Sequence, residues 1–220
     1  MSMKSYPILK QIVGQESWTS EEKFEYIKGI LLSFNREGMD KVIEYLQNSD
    51  FTYAPSSTKF HSNYHGGLMD HSIMVMTTAI KLRDAMLDIK PELEPRIPVE
   101  SVVISSLLHD ICKIGFYVAK EKWKKDENDR WMSYTGYDVN DTFPIGHGEK
   151  SVIILQELGL KLTIEEMLAI RYHMGLWTTT VDCGDTSRAY FRAVEMCPLL
   201  CIIQNADFMS SNMLEYIYKN

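Results

Sequence analysis

Five apolar stretches of this chain have helical spacing, and each carries a histidine or an aspartate beside the face that should point inward. These residues are His71, His109 with Asp110, His147, His173 and Asp207. Taken singly, such a residue is more often a hydrogen-bonded core residue than a ligand. Together, four imidazoles and two carboxylates form the nitrogen and oxygen donor set that suits Mn, Fe, Co, Ni or Zn. Helical bundles hold such sites in their cores, so the pattern predicts a bundle around a metal centre.

The remaining periodicity also predicts helices, and we therefore expect an all-α fold. Ser20 is the predicted N-cap of the first helix because two glutamates follow it. The pair Gly66–Gly67 is predicted to open a long helix. The predicted helices cover about 20–34, 37–47, 67–87, 99–111, 147–158, 164–173, 187–195 and 198–214. Residues 1–50 are predicted as N-terminal helices packed on the core, and residues 51–220 as a single globular unit.

One segment departs from this helical pattern and is predicted as β structure. Residues 121–134 are polar, with a turn around 126–129, and Trp123, Trp131 and Tyr134 supply the strand residues. It carries Lys122, Lys124, Lys125 and Arg130 against four acidic residues, as expected for a solvated hairpin. We therefore predict a small β-hairpin insertion around 121–134 in the helical fold.

Composition argues against several functional classes. The chain of 220 residues has a net charge of −7, which argues against sequence-independent binding to duplex DNA. No apolar run approaches the about 18 residues of a membrane span, so no membrane partner is expected. The four cysteines form no CxxC pair, and the N-terminus lacks the apolar core of a signal peptide. These features predict a cytoplasmic protein, and no coiled-coil seam indicates its oligomeric state.

The order of the six residues resembles the H…HD…H…H…D signature of the HD-domain metal-dependent phosphohydrolase superfamily. The segment Leu107–Gly115, LLHDICKIG, is similar to the central motif of that superfamily. The stretch HGGLMDHS at 65–72 is similar to the glycine-rich loop and first ligand of several HD hydrolases. Gly146–His147 and Tyr172–Met174 resemble the segments that carry the additional histidines of the two-metal branch. The resemblance covers about residues 58–212.

This resemblance implies an HD-domain helical bundle that holds two divalent transition metal ions, with Mn or Fe ahead of Co, Ni or Zn. One ion would be held by His71, His109, Asp110 and Asp207, and the second by Asp110, His147 and His173. Asp110 and Lys113 are the implied catalytic residues, since Lys113 resembles the lysine of the family's HDxxK motif and would neutralise a phosphate oxygen. The implied reaction is hydrolysis of a phosphodiester or phosphomonoester of a nucleotide or short oligonucleotide by a metal-activated water.

Four further residues are predicted to contact the substrate. His61 and His65 lie in the loop before the first ligand and could reach a phosphate or the leaving group. Lys150 and Arg171 lie near the last two histidines in sequence and could bind an anionic group, although Arg171 would point away on a regular helix. Trp177 could stack on a base, and the alternative is a boundary aromatic residue.

Two alternatives to a phosphohydrolase remain at this point. HD-type oxygenases bind a mixed-valent di-iron centre with the same six ligands, and a non-catalytic nucleotide-binding module would share only the fold. The glycine-rich loop before His71 favours the hydrolase, and the intact ligand set argues against the non-catalytic module. The chain is most similar to the HD half of bacterial 3′-to-5′ exoribonucleases, without their OB-like segment. It also lacks the GYP motif that follows the last histidine in cyclic-di-GMP phosphodiesterases.

Overall fold

The structure, a computed structural model, describes residues 18–178 and 184–215. It is mostly helical with one antiparallel hairpin, so the predicted all-α fold with a small β insertion is confirmed. The helices are α1 (Ser20–Ser33), α2 (Met39–Gln47), α3 (Gly67–Ile89), α4 (Val99–Leu108), α5 (His147–Glu157), α6 (Ile164–Arg171), α7 (Gly184–Met196) and α8 (Pro198–Met209). Shorter 3₁₀ turns cover Pro91–Arg96, Ile111–Lys113 and Gly175–Thr178, and a π-helical turn covers Ser210–Leu214.

The long helix α3 lies at the centre of the bundle, where it packs against α4 and α8. Gly66 precedes it in the left-handed region, with a φ of 87° that favours glycine. At Gly67 a Cβ would lie 1.9 Å from the carbonyl oxygen of Ser62, so a side chain there would clash with the preceding loop. The two glycines thus let the loop fold tightly against the start of α3.

The N-terminal helices share the hydrophobic core of the bundle. Ile27 of α1 and Leu46 of α2 are fully buried in that core. The predicted N-cap at Ser20 is wrong by one residue. Thr19 caps α1, because its hydroxyl accepts a hydrogen bond from the backbone N–H of Glu22 while the Glu22 carboxylate accepts one from the Thr19 N–H. The boundary at residue 50 stays a prediction, and residues 1–17 lie outside the described part of the chain.

The hairpin is longer than the sequence predicted. Strands β1 (Tyr117–Lys125) and β2 (Trp131–Val139) pair in register from Tyr117 opposite Val139 to Lys125 opposite Trp131. Five of the extra residues at the open end are aromatic or β-branched, and such residues favour strands: Tyr117, Val118, Thr135, Tyr137 and Val139. Ion pairs also stabilise this end, since Lys122 contacts Asp138 at 2.7 Å.

Several helix ends differ from the predicted bounds. Helix α4 ends at Leu108 instead of continuing to 111, and the chain goes on as the 3₁₀ turn Ile111–Lys113. Helix α7 begins at Gly184, and α8 ends at Met209 before the π-helical turn. Within the described residues, no helix has the length and apolar character needed to cross a membrane.

Candidate metal centre

The structure brings the six predicted metal ligands together around the Asp110 carboxylate. Its two oxygens face different histidines. Oδ1 lies 2.8 Å from Nε2 of His147 and 3.6 Å from Nε2 of His173. Oδ2 lies 3.3 Å from Nε2 of His109 and 3.6 Å from Nε2 of His71. Asp110 therefore stands between two pairs of imidazoles, with one oxygen turned toward each pair.

Asp207 completes the first of these groups. Its Oδ1 lies 3.2 Å from Nε2 of His71 and 4.0 Å from Nε2 of His109. All three residues are buried, and one donor atom from each lies within 4.8 Å of the others. A second such set consists of His109, Asp110 and His173, which is also buried. These distances leave room for a cation between donors that are not hydrogen-bonded to one another.

The histidine nitrogens provide the clearest test of whether a metal ion fits. Nε2 of His71, His109 and His173 is buried without a hydrogen-bond partner, which is costly in a protein interior. In His109 and His173 the other nitrogen, Nδ1, donates to a backbone carbonyl at 2.7 Å. This contact leaves the lone pair of Nε2 free in the neutral ring, which is the state that binds metal ions. The residues present therefore fit a divalent cation.

Helix ends supply the carbonyls that orient these two rings. The last four carbonyls of an α-helix have no partner within the helix. Ser106 lies in the last turn of α4, and its carbonyl accepts from His109 three residues later. Ile170 lies in the last turn of α6, and its carbonyl accepts from His173 in the same way. The same local geometry thus places both imidazoles just beyond a helix C-terminus and aims Nε2 into the core.

The electrostatics agree with a site built for positive charge. Burial opposes ionisation of Asp110, but Lys113 and His109 hold the pKa of its carboxyl well below the usual range. Burial likewise lowers the pKa of His173, with a contribution from His109, to about 3, so its ring is neutral. Burial alone would lower the pKa of His71, but the carboxylates of Asp207 and Glu215 raise it to about 9.

Lys113 is the predicted catalytic lysine, and it lies directly beside Asp110. Its Nζ is 2.6 Å from Asp110 Oδ2, because the 3₁₀ turn Ile111–Lys113 brings the two side chains to the same side. Nζ also donates to the hydroxyl of Ser56 at 3.2 Å. That hydroxyl in turn lies 3.3 Å from Nε2 of His61. Ser56 thus links the lysine to the loop before α3, which sequence reasoning did not anticipate.

Glu215 is a second residue that sequence reasoning missed. Its Oε1 lies 2.8 Å from Nδ1 of His71, and its Oε2 accepts a hydrogen bond from Ser62 at 2.5 Å. A carboxylate in this position orients a ligating histidine and raises its basicity. No motif marks Glu215, but it follows Asp207 by eight residues, a spacing that returns to the same helical face.

The four predicted substrate contacts occupy different surroundings. His61 lines the cavity above the cluster, and its ring centroid is 4.7 Å from that of His71. The exposed His65 stacks on Tyr53. The structure does not place Lys150 or Arg171 on the cavity wall. Lys150 contacts Asp141 at 2.5 Å, and Arg171 pairs with Glu149 and lies over the ring of Tyr172.

A cavity of about 780 Å³ opens above the cluster. Its lining includes the buried candidate ligands His173 and Asp207, together with Glu215 and the exposed Trp177. Such a volume accommodates a small organic ligand whose reacting group rests against the buried histidines and carboxylates. Among the described parts of the chain, this cavity gives a direct approach to the candidate ligands.

Comparisons with known proteins agree with this geometry. The family model named HD domain matches residues 68–211. The chain is also 32% identical over 101 residues to a dihydroneopterin 2′,3′-cyclic phosphate phosphodiesterase of Methanocaldococcus jannaschii. That match spans 40% of this chain and 39% of the relative, and no solved structure matches the chain. The family match covers more than half of the sequence and includes all six converging residues, so this chain belongs to the HD domain family.

Proposed function

We propose that this protein hydrolyses a phosphate ester of a nucleotide or a related small molecule, using a pair of divalent cations at the Asp110 cluster. Membership in the HD domain family and the phosphodiesterase name of the relative support a metal-dependent phosphohydrolase. The relative is named for a cyclic phosphate, which is a diester of a small molecule. We therefore favour a phosphodiester of similar size as the substrate of this chain.

The observation that carries the proposal is the division of the Asp110 oxygens between two pairs of histidines. His71, His109 and Asp207 would hold one cation together with Asp110 Oδ2. His147 and His173 would hold the second with Oδ1. The mixed nitrogen and oxygen donors suit Mn or Fe, and also Co, Ni or Zn. When bound, such a pair supplies Lewis-acid stabilisation of the phosphate and a water of lowered pKa.

Two side chains of this protein would act on the phosphate directly. Lys113 is buried beside Asp110, and its ammonium would neutralise a phosphate oxygen that gains negative charge. His61 faces the cavity beside His71 and would contact the phosphate or the leaving group. Contacts of His65, Lys150 and Arg171 with a substrate stay predictions of the sequence.

The proposal is tested with bis-p-nitrophenyl phosphate, a diester that requires no recognition of a base. The protein is loaded with Mn under anaerobic conditions and compared with Asp110→Asn. We expect kcat/KM to fall by about 10³-fold or more in the variant, since metal stabilisation of the reacting charge is worth several kcal/mol and 1.4 kcal/mol is tenfold. Asp88→Asn, on the exposed side of α3, is the matched control and should keep wild-type turnover.

The same assay distinguishes the oxygenase alternative. A hydrolase turns over the diester without oxygen. Absence of turnover with both Mn and Fe, together with iron-dependent oxygen consumption, would overturn the proposed function. Equal rates in the wild type and Asp110→Asn would also contradict it, because hydrolysis would then not depend on the cluster.

A further inference from the structure

The cavity above the cluster has aromatic and uncharged polar walls. The side chains that line it include Phe60, Tyr64, Trp177 and Phe208, together with the carboxamides of Asn63, Gln204, Asn205 and Asn212. Among the described lining residues, Lys59 is the one lysine or arginine, and it is exposed. Asp207 and Glu215 add negative charge to the lining. The cavity therefore offers stacking surfaces and hydrogen-bonding groups but little positive charge away from the cluster.

This charge distribution restricts the number of phosphates that a substrate can carry. Proteins bind each further phosphate with arginine, lysine or clustered backbone amides, because a doubly charged group loses much solvation on entry. The cluster can receive one phosphate, whereas a second would meet carboxylates or carboxamides. Trp177 is 88% exposed and lies four residues beyond His173, where a planar ring could stack on it. The walls thus suit an uncharged heterocycle with a single phosphate.

A hydrogen bond and a close glycine fix the orientation of Gln204, another lining residue. It precedes Asp207 by three residues on α8, so both side chains lie on the same helical face. The hydroxyl of Tyr190 donates to Gln204 Oε1 at 2.8 Å. At Gly175, which has a φ of 61°, a Cβ would lie 2.7 Å from Gln204 Nε2. The carboxamide is therefore held at the oxygen end, and the missing side chain at Gly175 leaves space for its N–H groups.

The neighbouring carboxamides differ from Gln204 in this respect. Asn205 donates through Nδ2 to the carbonyl of Cys201, and Asn212 donates through Nδ2 to that of Phe208. Each of these amide nitrogens thus has one of its two N–H groups bonded within the helical backbone. Gln204 accepts its hydrogen bond through oxygen instead, which leaves both N–H groups of Nε2 for a ligand in the cavity.

We propose that this cavity selects a phosphate ester with one phosphate group on an uncharged planar heterocycle, and that Gln204 is a specificity-determining residue that donates to an acceptor on the edge of that heterocycle. The inference rests on the proposed function, because the phosphate is placed at the Asp110 cluster. Trp177 supplies a stacking surface, and Tyr190 acts as a positioning residue for Gln204.

The phosphate selectivity is tested by competition against bis-p-nitrophenyl phosphate hydrolysis in the Mn-loaded enzyme. The competitors are guanosine 2′,3′-cyclic phosphate, guanosine 3′,5′-bisphosphate and ribose 5-phosphate. We expect the cyclic phosphate to bind at least about tenfold more tightly than either of the others. The bisphosphate carries a second phosphate that the cavity does not pair, and ribose 5-phosphate has no heterocycle. A tenfold difference corresponds to one good contact. Equal inhibition constants, or tighter binding of the bisphosphate, would overturn the inference.

The role of Gln204 is tested with Gln204→Leu and Tyr190→Phe, which removes one hydroxyl and keeps the ring. In Gln204→Leu, the preference for guanosine 2′,3′-cyclic phosphate over ribose 5-phosphate should fall by about tenfold. Tyr190→Phe should lower this preference less, because Gln204 stays present but is no longer held. Gln156→Leu, an exposed glutamine on α5, is the control and should keep the wild-type ratio. An unchanged ratio in Gln204→Leu would contradict the assignment.

Failure of the proposed function is distinguishable from failure of this inference. Turnover of bis-p-nitrophenyl phosphate without discrimination among the three competitors overturns the inference alone. Absence of turnover with both Mn and Fe, together with iron-dependent oxygen consumption, overturns the proposed function, and calorimetric binding of the same three ligands then decides the inference. Preferential binding of the cyclic phosphate that depends on Gln204 supports it, and equal or absent binding overturns it.

Discussion

The two sides of Asp110 differ in how far they are closed to solvent. On the Oδ2 side, His71 and His109 are completely buried and Asp207 nearly so. On the Oδ1 side, His173 is buried, but the side chain of His147 is 24% exposed. One carboxylate therefore joins an enclosed group of donors to a more open one. This difference indicates that the fold prepares the first group in advance and leaves the second accessible.

The supporting contacts show the same difference. Nδ1 of His71 is held by Glu215, and Nδ1 of His109 by the carbonyl of Ser106. Nδ1 of His147 instead lies 3.5 Å from the sulfur of Cys112, which is a weak hydrogen-bonding partner. We therefore expect changes on the closed side to affect both folding and metal binding. Changes at His147 should affect metal binding with little effect on folding.

The largest predicted difference is between His71→Ala and His147→Ala in how much free energy of unfolding each loses relative to the wild type. This free energy is measured by urea denaturation with a chelator present. Removal of His71 leaves Asp207 and Glu215 as buried carboxylates without their shared partner, which should cost about 3 kcal/mol. Removal of the partly exposed His147 leaves Asp110 paired with Lys113, and should cost about 1 kcal/mol or less. Equal losses in the two variants would contradict the distinction between a closed and an open side.

A smaller effect is expected on the rate when Lys113 is replaced by glutamine. Its ammonium lies beside the oxygen of Asp110 that faces the closed side, so its loss would remove positive charge from the proposed phosphate site. We expect kcat for bis-p-nitrophenyl phosphate to fall by about 10²-fold, as for loss of one group that stabilises the transition state. Lys81→Gln, an exposed lysine on α3, should keep the wild-type kcat. A change in KM alone would argue that Lys113 serves ground-state binding instead.

The smallest predicted effect concerns the carboxylate behind His71. In Glu215→Gln, the affinity for Mn should fall by about tenfold, because a neutral amide orients the ring less well and no longer raises its basicity. Calorimetric titration with Mn measures this affinity, and the exposed Glu157→Gln on α5 is the matched control. Wild-type affinity in Glu215→Gln would mean that Asp207 and the surrounding packing suffice to orient His71.

The sequence predicted those features that depend on local chemistry. Polar residues on apolar helical faces predicted that His71 and Asp207 would meet in the core, because an isolated buried carboxylate is costly. Helical periodicity similarly located α3 and α8 to within a few residues of their bounds. Residues between the predicted helices were harder to place. Ser56 reaches Lys113 only because the loop before α3 folds back over the cluster, and no local pattern encodes that path.

Other features depended on tertiary contacts that a linear pattern does not contain. Lys150 and Arg171 carry the charge expected of anion-binding residues. In the structure, Lys150 forms an ion pair with Asp141 and Arg171 forms one with Glu149. In each pair the partners are more than four residues apart in sequence, so a helical pattern does not predict the contact. Glu215 follows the predicted end of the last helix, and a π-helical turn lies between it and α8. Regular helical geometry predicts only roughly where the Glu215 side chain lies relative to Asp207. The contact of Glu215 with His71 depends on how the π-helical turn packs.

Metal content per chain is the most direct test of the central claim that Asp110 joins two cation sites. The protein and His147→Ala are loaded with Mn without oxygen, desalted, and measured by elemental analysis. We predict about two ions per chain in the wild type and about one in His147→Ala, since loss of a ligand should empty the open side first. One ion in the wild type, or two in His147→Ala, would contradict the account.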